Sequence, residues 1–206
     1  MSKRSMGLLL IFLSLSLYGC SGNQNTAANK IQDQLINMEG YACLTQVSHM
    51  NNDKTNTYET KQVYQMDGQY RVEVIEPEHI VGLTTICNGE KIVQDHPKLE
   101  QSALNELGEN NFRNQMFLGT FVKNYLQSED VSIEVQNMGD ALTTVLEAKI
   151  PGGSRHMSTQ RVWIDQKTFK PIQMSIYNKD NKETVNIEFV EFTYNPKINQ
   201  SIFELK

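Results

Sequence analysis

The motifs that most often announce chemistry are missing from this chain. Its three cysteines stand far apart with no C-x-x-C, so neither a redox dithiol nor a paired-thiolate zinc site is encoded. The four histidines, His49, His79, His96 and His156, form no H-x-x-x-H or H-E-x-x-H pattern, the spacings that set two imidazoles on one helical face. No G-x-S-x-G elbow is present. Ser154 lies near His156 in PGGSRH, but that run reads as a turn with no carboxylate placed to orient the imidazole. The glycines fall at turns rather than in a phosphate-cradling loop. Carboxylates are plentiful, yet Glu73, Glu76, Glu78, Glu188 and Glu191 fit the solvated face of a sheet. No catalytic, cofactor-binding or metal-ligating residue is therefore assigned, and the reading is of a protein that is not an enzyme.

Positive charge is also scarce. Lys and Arg number 19 against 24 acidic residues, for a net charge of −5, and no basic stripe gathers them. Such a domain is a poor match for nucleic acid or anionic head groups. Long apolar runs are absent after the first residues, and the mean hydropathy is −0.47.

What is present begins at the front. MSKR is followed by the uncharged run Met6 to Gly19, an n-region and h-region of signal-peptide proportions, too short to span a bilayer. Cys20 follows at once, preceded by Leu17, Tyr18 and Gly19, and the four resemble a bacterial lipobox. Residues 1–19 are accordingly expected as a lipoprotein signal peptide, Cys20 as the lipidated residue, and residues 20–28 as a polar, flexible tether. Loss of Lys3 and Arg4 leaves 17 basic residues against 24 acidic, a net charge of −7. The protein is placed outside the cytoplasm, held to a membrane by lipid. Of the remaining cysteines, Cys43 and Cys87 lie in expected strands. Two readings stay open for them, a disulfide bridge or a pair of buried thiols.

Residues 29–206 read as one domain. A short helix is expected from about Ala28 to Met38, ended by Gly40. Strands follow at 41–50, 58–66, 69–77, 83–89 and 90–96, with Asp67–Gly68 and Asn88–Gly89 as hairpin turns. The middle, 97–127, has few β signals, and helices are expected near 100–107 and over 111–128. Strands resume at 131–138, 142–150, 158–165, 170–178 and 183–195. Within the last, Ile187 and Phe189 alternate in one phase and Phe192 and Tyr194 in the other, a parity shift that signals a bulge or burial on both sides. The order gives an α+β fold, a curved antiparallel sheet with helices packed on one face.

The last third carries a likeness. The V-W-I-D strand of Val162 to Asp165, Lys167 with Pro171, and the ending F-T-Y-N-P-K-I-N-Q-S-I-F from Phe192 to Phe203 resemble the C-terminal part of the LolA/LolB/RseB-like lipoprotein superfamily. The Lys–Pro spacing is one residue shorter than the usual form. The stretch YRVEVIEPEHIVGLTTICNGEKI is similar to that superfamily's front hairpin. The resemblance implies a half-barrel capped by helices. Lipobox, size and composition further resemble the germination lipoproteins of clostridial spore formers. That likeness implies a non-enzymatic partner that binds and activates a cell-wall (N-acetylmuramoyl-L-alanine) amidase, itself the zinc enzyme, for muramic-δ-lactam formation in spore cortex. It places the protein at the forespore membrane, and a homodimer by strand exchange is open to a half-barrel. The alternative is a lipid or lipoprotein carrier, or an envelope sensor, using an apolar half-barrel cavity.

Overall fold

The computed structural model describes residues 22–51, 54–96, 101–106 and 112–205. Helix α1 spans Gly22–Ile36. Strands β1 (Gly40–Asn51), β2 (Lys54–Gln65), β3 (Gln69–Glu76), β4 (Thr84–Asn88), β5 (Lys91–His96) and β6 (Gln101–Glu106) follow. After a 3₁₀ turn at Phe112–Met116 comes α2 (Leu118–Gln127). Then come β7 (Val131–Met138), β8 (Ala141–Lys149), β9 (Thr159–Asp165), β10 (Pro171–Tyr177) and β11 (Glu183–Tyr194).

The strands form one antiparallel, unclosed and curved sheet in the order β6-β5-β4-β3-β2-β1-β11-β10-β9-β8-β7. Two meanders compose it. The first runs outward from the centre to the β6 edge, and the second runs inward from the β7 edge to the centre. The first and last strands therefore meet, with Tyr41 opposite Tyr194 and Cys43 opposite Phe192. The segment between the meanders must pass from one edge to the other, which carries α2 across the inner face.

Turn chemistry behaves as the residues dictate. Gly68 and Gly89 hold φ of 102° and 95°, a region that glycine enters without a Cβ penalty, and they close the β2–β3 and β4–β5 hairpins. The parity shift in β11 is a bulge: Leu44 pairs with Glu191 and Thr45 with Phe189, so Val190 is the extra residue, and it stands 60% exposed. The terminal motif is a clasp. The Asn195 side chain accepts hydrogen bonds from the backbone amides of Glu39 (2.8 Å) and Gly40 (3.2 Å), and the Tyr194 hydroxyl donates to the carbonyl of Phe169 (3.0 Å).

The structure corrects several expectations. The helix expected near 100–107 is β6, because β5 offers a free edge and pairs Leu104 with Val93 and Ala103 with Gln94; that pairing outweighs local helix propensity. The single helix expected over 111–128 is broken at Phe117, whose extended backbone (φ −96°, ψ 136°) sends its ring onto Tyr64 and Tyr70. Helix α1 starts at Gly22, so part of the run read as tether, 22–28, is helical. No helix among the described residues is long and apolar enough to cross a membrane.

Candidate functional site

In an antiparallel pair, residues directly opposite share a face. Following that rule across the sheet puts Tyr70, Tyr64, Tyr41 and Tyr194 in one row of the inner face, with Phe192 on the same face opposite Cys43, and Val47, Ile187, Met174, Val162 and Leu146 in another row. Tyr41 stacks on Tyr64 (5.4 Å between ring centroids) and on Phe192 (5.3 Å), and Phe117 leans on Tyr64 (5.3 Å) and Tyr70 (4.6 Å). Leu118, Phe121, Val122 and Tyr125 of α2 are buried against this surface, with Ile31 and Leu35 of α1.

Polar contacts fix where the helix sits. The Leu118 amide donates to the Tyr41 hydroxyl at 3.2 Å, which satisfies one of the donors that a helix start leaves open. Asn124 donates to the side-chain carbonyls of Gln160 (2.7 Å) and Gln115 (2.9 Å), and Gln160 donates to the Gln115 backbone carbonyl (2.6 Å). Gln32 of α1 donates to the Tyr125 hydroxyl at 3.0 Å, tying the helices together. The inner face of the second meander is thus filled by protein.

Over the first meander the filling is incomplete. A half-open cavity of about 150 Å³ lies between Val47, Tyr58, Val72 and Val74 of the sheet and Met116 and Phe117 above it. Its floor is polar but satisfied: Thr45 and Thr60 hydroxyls lie 2.8 Å apart, and Gln62 donates to Thr45 at 3.0 Å. His49 sits at the rim edge-to-face with Tyr58 (5.9 Å), and burial lowers its imidazole pKa below the ordinary 6.5. Ligand cavities of drug size span roughly 300–1,000 Å³, so this one is small for a lipid carrier.

Cys20 lies outside the described residues. Cys43 and Cys87 are buried and free, so the bridge left open above is not formed. Two strands, β2 and β3, separate their strands, a gap of about 14 Å at roughly 4.8 Å per strand, whereas a disulfide needs Cα atoms within about 7 Å. Burial pushes both thiols above their usual range. His49, His79, His96 and His156 fall on four separate segments. The Ser154 hydroxyl accepts from the amides of His156 and Met157, both at 3.2 Å, and so closes the turn. Glu76, Glu78, Glu188 and Glu191 are exposed, with Glu73 half-buried. Among the described residues no group of three or more His, Cys, Asp or Glu side chains is placed to hold a metal. Sequence reasoning missed Gly119, Asn124 and Gln160, because nothing in their local pattern marks a contact made across the sheet.

Comparison with known proteins bears on this geometry. A family model described as sporulation protein YdcC-like matches residues 2–203. No curated protein matches the chain. Among solved structures, an uncharacterized conserved protein from Thermus thermophilus aligns with a TM-score of 0.55 at 11% identity, covering 87% of this chain and 94% of that one. A putative outer membrane lipoprotein-sorting protein domain from Vibrio parahaemolyticus aligns at 0.51 and 10% identity, covering 88% and 97%. Both share the curved antiparallel sheet of this chain and show the fold alone. A chain in the structure of the CwlD amidase from Clostridioides difficile in complex with the GerS lipoprotein aligns at 0.50 and 25% identity, covering 95% of this chain and all of that one (100%).

Proposed function

Because the chain belongs to the YdcC-like sporulation protein family, we propose that it is a GerS-like, non-enzymatic lipoprotein that binds and activates a cell-wall amidase during spore formation. The observation that carries this reading is the 25% identity over 95% of the chain to a component of the amidase–lipoprotein complex. Lipid on Cys20 would hold the domain outside the cytoplasm, at the forespore membrane, and the zinc chemistry would belong to the amidase. The product of that chemistry would be the muramic-δ-lactam of spore cortex.

The packing of α2 over the second meander, with only a small cavity over the first, supports a binding module over a carrier. A carrier needs a vacated cavity, and here α2 is buried in the core while Phe117 packs on Tyr64 and Tyr70. A protein-binding role asks only for an accessible surface, which a half-barrel with open edges provides.

The test is reconstitution. The detergent-extracted chain and a CwlD-type amidase, mixed at micromolar concentration, are expected to co-elute, and peptidoglycan hydrolysis is expected to rise. Independent elution with unchanged hydrolysis overturns the reading. A co-purifying lipid seen by native mass spectrometry would favour the carrier instead.

A further inference from the structure

Strand β7 ends the sheet, and no strand pairs beside it among the described residues. Natural edges of this kind are normally blunted by lysine, proline or a bulge. The sequence VSIEVQNM contains neither residue, and its register with β8 runs unbroken from Val131 opposite Ala148 to Met138 opposite Ala141. Eight residues of regular backbone are therefore available on one side.

The side chains add a second feature. Val131, Ile133 and Val135 lie opposite Ala148, Leu146 and Thr144, so they continue the apolar inner face past the point where α2 covers it. Val131 is 42% exposed, Ile133 43% and, on the same face of β8, Leu142 44%. Leu126 at the end of α2 is exposed too, so these residues make up four of the seven large apolar side chains that stand in solvent among the described residues. The opposite face of the strand carries Ser132, Glu134 and Gln136.

Charge selects the occupant. Glu129, Glu134 and Asp140 are exposed and enter none of the ion pairs among the described residues, while the nearby cations Lys149 and Arg161 are engaged by Asp130 and Glu147. We propose that the β7 edge is a strand-addition site for an extended segment of the amidase, with apolar side chains at alternate positions and Lys or Arg between them. This deepens the reading above and rests on it. Backbone hydrogen bonds along the edge supply the affinity. The apolar residues extend the core row of Val131 and Ile133, and the basic ones face Glu134.

Hydrogen–deuterium exchange on the full chain, with and without the amidase, tests the site without altering it. Slowed exchange at alternate β7 amides, only with amidase present, is the expected result. Ile133→Lys and Val131→Lys are expected to weaken association by at least about tenfold, while Val190→Lys, on the exposed bulge of β11, leaves it unchanged. Association with unaltered β7 exchange, or with Ile133→Lys binding as tightly as the parent, overturns the docking site and leaves the amidase reading standing. Concentration-dependent protection of β7 without amidase identifies a second copy as the occupant and overturns it as well. Failure of the parent chain to associate removes both.

Discussion

Gly119 and Tyr64 are in contact at the limit of what backbone and ring allow: a Cβ on residue 119 would lie 2.1 Å from Cε1 of Tyr64 and 2.7 Å from Cδ1 and Cζ. The ring cannot retreat, because Tyr41, Tyr70 and Phe117 hold it on three sides. Helix α2 reaches its depth in the half-barrel because this one residue has no side chain.

Gly119→Ala is therefore expected to destabilise the fold, although alanine gains up to about 1 kcal/mol of helix propensity over glycine. Overpacking of a filled core costs roughly 1–3 kcal/mol, occasionally more, and should win. Urea denaturation checks the sign, and a stabilised Gly119→Ala variant would show that α2 sits less deeply. Val122→Ala on the same helix leaves space rather than a clash, and its cost should add to that of a distant site such as Ile92→Val.

The Asn124–Gln160 contact carries a different signature. Each single change to leucine strands a buried amide partner, at a cost of about 1–3 kcal/mol. The double change removes both partners and should cost clearly less than the sum. A double-mutant cycle by thermal or chemical denaturation measures the coupling; strict additivity would refute the pairing.

Cys43 and Cys87 should be silent to thiol reagents in the folded chain, since both are buried and burial keeps their thiols protonated. In denaturant, without any reductant, both should become labelled. A need for reductant before labelling, read by mass spectrometry, would mean a bridge.

His49 gives a pH dependence whose sign follows from its surroundings. Burial lowers its pKa in the folded chain, while the unfolded chain keeps an ordinary value near 6.5. The unfolded state thus binds more protons, and the stability that His49 contributes is present above about pH 6.5 and lost as pH falls through the folded value. Between about pH 7.5 and about pH 5.5 the parent should lose more thermal stability than His49→Gln. Equal slopes would remove the desolvation argument.

The elements most legible in the sequence were those whose signal is local. Asp67–Gly68 and Asn88–Gly89 form hairpin turns through positive-φ glycines, strand 131–138 runs Val131–Met138, and the parity change between Phe189 and Phe192 is the Val190 bulge. The motifs behind the family resemblance turn out to have structural roles. Asp165 accepts from the amides of Lys167 (3.1 Å) and Thr168 (2.6 Å) to shape the turn after V-W-I-D, and Asn195 clasps the start of β1. These motifs specify the fold, which is why they predicted it well and left the function to the comparison with an amidase complex.

By itself, then, the sequence determined the strand and turn pattern, the α+β class and the acidic balance, because period, turn residues and charge are properties of short stretches. Tertiary structure decided the rest. Whether Gln101–Glu106 became helix or strand depended on a free edge on β5. Whether 111–128 stayed one helix depended on the packing of Phe117 against Tyr64 and Tyr70. Whether Cys43 met Cys87 depended on strand order, and which apolar side chains stayed in solvent at the β7 edge depended on how far α2 reached. Each is settled by contacts between residues far apart in the chain, whose energies no local pattern contains.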